Sequence, residues 1–507
     1  MRDLIHWGGG ATLAALIVLG VSQAPLGSPL FFVLASVPCV VYALLLRRLL
    51  ANGSEPDRNR SNRGLHGSRA NLELDPSRSN REPNRNHSAL VQEWSRADLA
   101  PEWSHTDLEP DRNHSTPAPN RSRADPEPNR DGATLEPEWS RSDLAPGRLF
   151  TVALLMAVAF RVPLAAPRVN ADNDMVRYMY DGRLQRLGYN PFEVVPADPA
   201  LAATHTDETR RMPSIRARTP YPAAAQLFFR LVVTIHESPR MMKWALVLCD
   251  FLTIWVLLAW MRSTARSPWL VLVYAWNPLV ILEVAHSGHI DALGALWIAI
   301  SAWMLSTGRG MRAAAAFVIA VASKLLPIVL IPLYWKRIRL RDTAVGALVL
   351  AALYFPFRSA GLLPLGAVPN VVQYIRFNGP VFKWIAQNAT PQVAAGVALG
   401  AGLAVAVWMR FKRSAEDPAA WAWPMAVSLA AAPVIYPWYL LYFTPFLFTR
   451  ATVPLVVWTY SALPVYTVWE LSRHGHRWFV PTPVLWLEFA PVVAAIALMA
   501  IRARSRA

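Results

Sequence analysis

The chain has 507 residues, 54% of them hydrophobic, with 21 Trp, 42 Pro and a formal net charge of +16. Its many long apolar runs, separated by short basic loops, exclude an ordinary soluble domain and indicate an all-α, polytopic integral membrane protein. The excess of positive charge does not mark a nucleic-acid groove. Residues 51–147 carry 13 Arg, no Lys and 17 Asp/Glu, so the remainder holds more than the whole positive balance, much of it in clusters at the ends of apolar runs. That is a positive-inside pattern, and no nucleic-acid partner is expected. Two cysteines, Cys39 and Cys249, both lie in apolar segments, which excludes a disulfide framework and a thiolate metal site.

In chain order, residues 8–22 and 29–46 predict a transmembrane hairpin (domain 1–50), closed on the cytoplasmic side by Arg47 and Arg48. Residues 51–147 are rich in Arg, Asn, Ser, Pro and Glu, with imperfect repeats: EWSRADLA from Glu93, EWSHTDLE from Glu102 and EWSRSDLA from Glu138. Such a composition buries too little apolar surface to offset chain entropy, so it predicts a disordered cytoplasmic linker. The third region, 148–507, opens with an outward span over 148–166 and a large loop over 167–219. The apolar stretch 219–236 reads as re-entrant, interfacial or spanning. Further spans follow at 241–261, 268–284 and 290–307. Residues 313–335 form two half-spans meeting near Ser323 and Lys324. The remaining spans are 343–357, 390–409, 419–434, 437–449, 452–469 and 480–501. In this arrangement most Arg/Lys clusters face the cytoplasm and the polar, site-like loops face the other side.

Four constellations carry chemistry. The first is NADNDMVRYMYDGRLQRLGYNP, 170–191, with Asp172, Asp174 and Asp181 beside Arg177, Arg183 and Arg186. A carboxylate there can act as general base, and an arginine fork can hold a phosphate. Asp174, Arg177 and Tyr178 share one face of a helix. Spacing alone leaves open a solvated helix with weak local ion pairs. The second is the polar knot His286, Ser287, Gly288, His289 and Asp291, preceded by Glu283 inside an apolar run. Ionisable groups at membrane depth are costly and usually face a cavity or a partner. Either a pocket wall or a hydrogen-bonded turn satisfies that rule. The third is Lys324, one of five lysines, set between two half-spans. It calls for an anion such as a lipid phosphate, unless it snorkels to the interface. The fourth is the loop with Arg376 and Asn378, together with YPWYLLYFTP from Tyr436. It reads as an interfacial belt or a groove for a lipid and a sugar ring.

Taken together, these motifs resemble those of the bacterial GT-C glycosyltransferases that use polyprenyl-phosphate sugars, relatives of the polyprenol-phosphate-mannose-dependent mannosyltransferases. The matching residues are Asp174, Arg177-Tyr178, Tyr180-Asp181-Gly182, Gly188, Asn190-Pro191-Phe192 and Tyr221-Pro222. NPLVILE, GHIDAL, SKLLPIVLIPL, RFNGPVF and PWYLLYFTPF follow in the family's order, so the resemblance covers about residues 148–450. Ile290, Tyr436 and Asn173 depart from the family's usual Asn, His and acidic residue.

The resemblance implies a GT-C-like bundle of about 11–14 transmembrane helices. It also implies inverting transfer of a hexose, with mannose the first candidate, from a polyprenyl-phosphate donor to a glycan or lipid acceptor. The site would lie on the outer, periplasmic face of the inner (plasma) membrane. Asp174 or Asp172 would be the base, and Asp181 would belong to the same catalytic loop. Arg177, Lys324, Arg376, Tyr178, His289, Asp291 and Asn378 would bind the donor phosphate and sugar. No required metal or other cofactor is expected, because fixed cations can stabilise the leaving group. The other classes to weigh are a secondary transporter or lipid-linked-glycan flippase, and a non-catalytic membrane scaffold.

Overall fold

The computed structural model describes residues 1–52, 147–166, 174–361 and 363–505. These residues are mostly helical, and the only strand-like pairing among them is one isolated bridge joining Phe377 and Val434. The linker expected over 51–147 lies, from residue 53 to 146, outside the described residues, as does Asp172.

In chain order the helices are α1 (Leu4–Ser22), α2 (Pro29–Asn52), α3 (Arg148–Ala165), α4 (Asp174–Arg186), α5 (Ala223–Ile235) and α6 (Pro239–Ser263). The segments α7 (Pro268–Ala275) and α8 (Pro278–His286) form a pair bent by 52°. They are followed by α9 (Asp291–Ser306), α10 (Gly310–Ser323), α11 (Leu340–Tyr354), α12 (Val368–Tyr374) and α13 (Pro380–Asn388). The last four are α14 (Pro391–Lys412), α15 (Pro418–Ala430), α16 (Arg450–Arg473) and α17 (Thr482–Arg504).

Among the described residues, eight helices are long and apolar enough to cross a membrane, or nine if the bent pair counts as one span. The protein is therefore an all-α, multi-pass membrane protein. The larger number of crossings expected from sequence counted apolar runs that the backbone does not build as long helices. Residues 326–334 and 437–446 wind as 3-10 helix, with Pro327 and Pro332 in one and Pro437 and Pro445 in the other. Proline removes an N–H from the α-helical ladder, so these stretches tighten and stay short. The helix α5 has 13 residues. At about 1.5 Å per residue it falls short of the roughly 30 Å apolar core.

Local signals set many helix starts. Ser238, Thr390 and Asp417 cap α6, α14 and α15 by accepting from the backbone N–H of Met241, Val393 and Ala419. A proline follows each cap at the first helical position, where its missing N–H costs nothing. The outward sides of α3 and α17 stay apolar, with Leu155, Val158, Trp486, Leu487 and Val493 exposed. Between α3 and α6 a charge pair is fully buried: Arg161 Nε donates to Asp250 Oδ2 at 2.8 Å. Arg161 also donates to the carbonyls of Ala157 and Ala275, tying α3 to the end of α7.

Candidate functional site

Asp174 opens α4, and Arg177, Tyr178 and Asp181 follow on the same helical face. That face is buried, with Arg177, Tyr178 and Asp181 all at 2% exposure or less. Arg177 Nε donates to Asp181 Oδ1 at 2.7 Å, and its Nη1 donates to the carbonyls of Ser214 and Ala217 at 3.0 and 3.1 Å. The other Asp181 oxygen accepts from Gln226 Nε2 at 2.9 Å. Asp181 thus fixes Arg177 on one side and α5 on the other, and both of its oxygens are engaged. Its role here is to position Arg177, which in turn anchors the loop around residues 214–217.

Asp174 faces a different set of groups. The Tyr221 hydroxyl donates to its carboxylate, and the charges of Lys324, Asp291 and Arg177 bear on it. Burial pushes its carboxyl up to about 6; the Lys324 ammonium opposes the rise and the Asp291 carboxylate adds to it. Lys324 stands directly after α10, where the helix gives way to 3-10 winding. Its Nζ donates to Asp291 Oδ1 at 2.6 Å and lies 3.6 Å from the centre of the Tyr439 ring. Asp291 begins α9 and is fully buried. One ammonium therefore serves two carboxylates drawn from separate parts of the chain.

Aromatic rings enclose this charge cluster. Tyr178 stacks on Phe229 at 4.6 Å and meets Tyr221 edge-on at 5.0 Å. On another side four rings stack in series. Phe377 lies on Tyr436 at 4.5 Å, Tyr436 on Trp438 at 4.3 Å, and Trp438 on His289 at 4.0 Å. Flat apolar faces beside hydrogen-bonding groups suit a pyranose ring, which presents C–H faces and a hydroxyl rim.

The two histidines of the polar knot take different partners. His286 packs against Phe31 and its Nδ1 lies 3.5 Å from Ser287 Oγ, whereas His289 Nε2 lies 3.4 Å from Glu283 Oε2. No group of three or more His, Cys, Asp or Glu is placed to hold a metal ion among the described residues. Arg376 and Asn378 take up local tasks. Arg376 donates to the carbonyls of Val372, Gln373 and Ile375 and lies over the Phe382 ring. Asn378, at φ +58°, donates to the Ile435 carbonyl and to Glu488 Oε2. These contacts shape the loop that carries Phe377 to the ring stack.

Some residues of the site carry no sequence pattern of their own. Tyr466 is an aromatic among many, whereas Tyr221, Trp438 and Tyr439 lie in the Tyr221-Pro222 and YPWYLLYFTP motifs. Gln226, which ties Asp181 to Thr219, looks like an ordinary polar residue on an amphipathic helix. Glu488 did carry a signal, being a lone carboxylate inside a 23-residue apolar helix. It accepts from both Asn378 and Trp458.

No family model, curated protein or solved structure matches the chain.

Proposed function

We propose that this protein is a GT-C-like membrane glycosyltransferase. It transfers a hexose, mannose being the first candidate, from a polyprenyl-phosphate donor to a lipid- or glycan-linked acceptor on the outer face of the inner membrane. The observation that carries the reading is the cluster of half-buried Asp174 and Lys324 with fully buried Asp291, beside aromatic rings. A carboxyl raised to about 6 is mostly ionised at neutral pH and basic enough to take a proton from an attacking hydroxyl. An ammonium beside it supplies fixed positive charge where a phosphate leaving group needs it. In this reading the acceptor oxygen attacks the anomeric carbon as Asp174 removes its proton. The bond from that carbon to the phosphate oxygen breaks, and the negative charge left on the phosphate is stabilised by Lys324. The reaction inverts the anomeric centre because attack and departure are on opposite faces. The aromatic stack offers a surface for the sugar, and Arg177 keeps the helix that carries Asp174 seated on its loop.

A secondary transporter would also bury charge beside a broken helix. Transporters built from inverted repeats place such breaks in pairs, one in each half. Among the described residues one helix pair is bent in this way, α7 with α8. This favours the enzyme reading over the transporter.

The deciding experiment is transfer of radiolabelled sugar from a panel of polyprenyl-phosphate hexoses in membranes containing the purified protein. The expected result is transfer from at least one donor, lost in Asp174→Asn. No transfer from any donor would sink the proposal.

A further inference from the structure

Glu283 stands behind the candidate site, outside the set that holds Asp174. It is fully buried in a wide π-type turn over Ile281–His286. Its Oε1 accepts from the Tyr466 hydroxyl, and the Ser287 hydroxyl also bonds the carboxylate. Its Oε2 faces His289 Nε2 at 3.4 Å, and the backbone carbonyl of Glu283 accepts from the His289 N–H at 3.0 Å. The link between them passes through Gly288 at φ +72°, a conformation that favours glycine and turns the chain so that His289 faces back toward Glu283. His289 is therefore fixed by its own backbone and by Trp438 stacked on its ring face, with Glu283 Oε2, itself buried and without a hydrogen-bond partner among the described residues, 3.4 Å from Nε2.

A carboxylate on one imidazole nitrogen draws the proton to that nitrogen and leaves a lone pair on the other. His289 Nδ1 is buried and has no hydrogen-bond partner among the described residues. Two positions along the chain, Asp291 Oδ2 is likewise buried and without a partner. The Lys324 charge bears on both residues. A buried polar atom without a partner is rare in a native protein and calls for an unseen donor. Here both atoms are acceptors, on one short turn, beside the same ammonium.

The geometry points to Glu283 as a positioning residue that holds His289 as a hydrogen-bond acceptor, so that His289 Nδ1 and Asp291 Oδ2 together receive two neighbouring hydroxyls of the transferred sugar. This deepens the glycosyltransferase reading and rests on it for the identity of the ligand. It makes the site selective for a vicinal diol. A sugar lacking either hydroxyl leaves one acceptor buried and unpaired.

The first test needs no substrate. The protein, labelled with ¹⁵N in its histidine rings, is reconstituted in lipid bilayers and studied by solid-state NMR, with His289→Gln identifying the His289 resonances. The expected spectrum has a protonated Nε2 and an unprotonated Nδ1, and E283Q, whose amide can donate to Nε2, moves the proton to Nδ1. A proton on Nδ1 in the unmodified protein would overturn the role given to Glu283, whether or not E283Q folds. The second test compares polyprenyl-phosphate hexoses each lacking one ring hydroxyl. Two adjacent deoxy positions should lower kcat/KM on the order of 10- to 100-fold, and E283Q should remove the discrimination at one of them. Equal transfer from all deoxy donors would overturn the diol subsite. Failure of every polyprenyl-phosphate hexose would overturn the parent function and the diol with it, while the NMR result still decides the Glu283–His289 relationship.

Discussion

Lys324 donates from Nζ to Asp291 Oδ1 at 2.6 Å, while its charge also bears on Asp174. The ammonium is part-buried and Asp291 is fully buried, so neither charge is well solvated. Removing one partner of a buried pair leaves the other uncompensated, at a cost of about 3–5 kcal/mol. Lys324→Met should therefore lower thermal stability in detergent as well as abolish transfer. The double variant K324M/D291N should regain most of the stability and none of the activity. Additive destabilisation in the double variant would show that the two side chains do not act as a pair.

Asp174 has its carboxyl raised by burial to about 6 from an ordinary value of 3.8. A general base must be ionised, so transfer should fall as pH drops through about 6 and level off above it. The stability linkage has the following sign. The raised folded-state value means this group contributes stability fully below about 3.8, and the contribution is lost as pH rises through about 6. At neutral pH the ionised carboxylate is a cost to the fold. Asp174→Asn should thus abolish transfer without lowering the melting temperature. Initial rates across this pH range, with thermal scans of the variant, check both statements; a flat pH profile would remove Asp174 as the base.

Arg177 bonds to Asp181, Ser214 and Ala217 with nitrogens of a single planar fork. Lysine offers one point donor and cannot span the same three acceptors. Arg177→Lys should loosen the loop around residues 210–218 and lower transfer on the order of 10-fold or more. Arg210, Arg211, Arg216 and Arg218 supply tryptic sites in that loop. Faster cleavage there in the variant is the expected readout. An unchanged cleavage rate would mean that Arg177 is not what holds the loop.

Arg161 and Asp250 are both fully buried and 2.8 Å apart. Asp250→Leu strands a guanidinium between helices and should cost about 3–5 kcal/mol, seen as poor yield of folded protein. The double variant R161L/D250L should recover, since two apolar side chains need no partner. The pair is distant in function from the Asp174 cluster, so the recovered double variant should retain transfer. Loss of activity in a well-folded double variant would refute that separation.

The parts of this architecture that show in the sequence are those where chemistry contradicts its surroundings. Lys324, Asp291 and Glu283 stand out because ionisable groups are rare in apolar runs, and Asp174 because it begins a polar helix after one. Their pairing does not show. Lys324 calls for an anion from sequence alone, and Asp291, 33 positions earlier, becomes its partner only when α9 and α10 fold side by side. The aromatic walls are harder still to read. Tyr221, Trp438 and Tyr439 stand in motifs the sequence offers, Tyr221-Pro222 and YPWYLLYFTP, but which of their rings lie beside Lys324 and Asp174 is set by where the backbone bends. Among the described residues the long apolar helices are fewer than the apolar runs of the sequence, for a related reason. Apolar runs broken by proline look like spans by composition, yet residues 326–334 and 437–446 coil tightly instead of extending as helix.

The buried pair between α3 and α6 also bears on how the protein is made. Arg161 and Asp250 are 89 residues apart, so at about 5–20 residues per second the ribosome delivers the arginine several seconds before its carboxylate. During that interval α3 carries an arginine bonded only within its own helix, and an arginine in a span disfavours insertion, by about 2.5–3.5 kcal/mol at the bilayer centre and less toward a helix end such as Arg161 occupies. Arrival of α6 removes the penalty and draws the first three long helices against the rest of the bundle. The order of synthesis therefore leaves Arg161 without its carboxylate partner until α6 has been made.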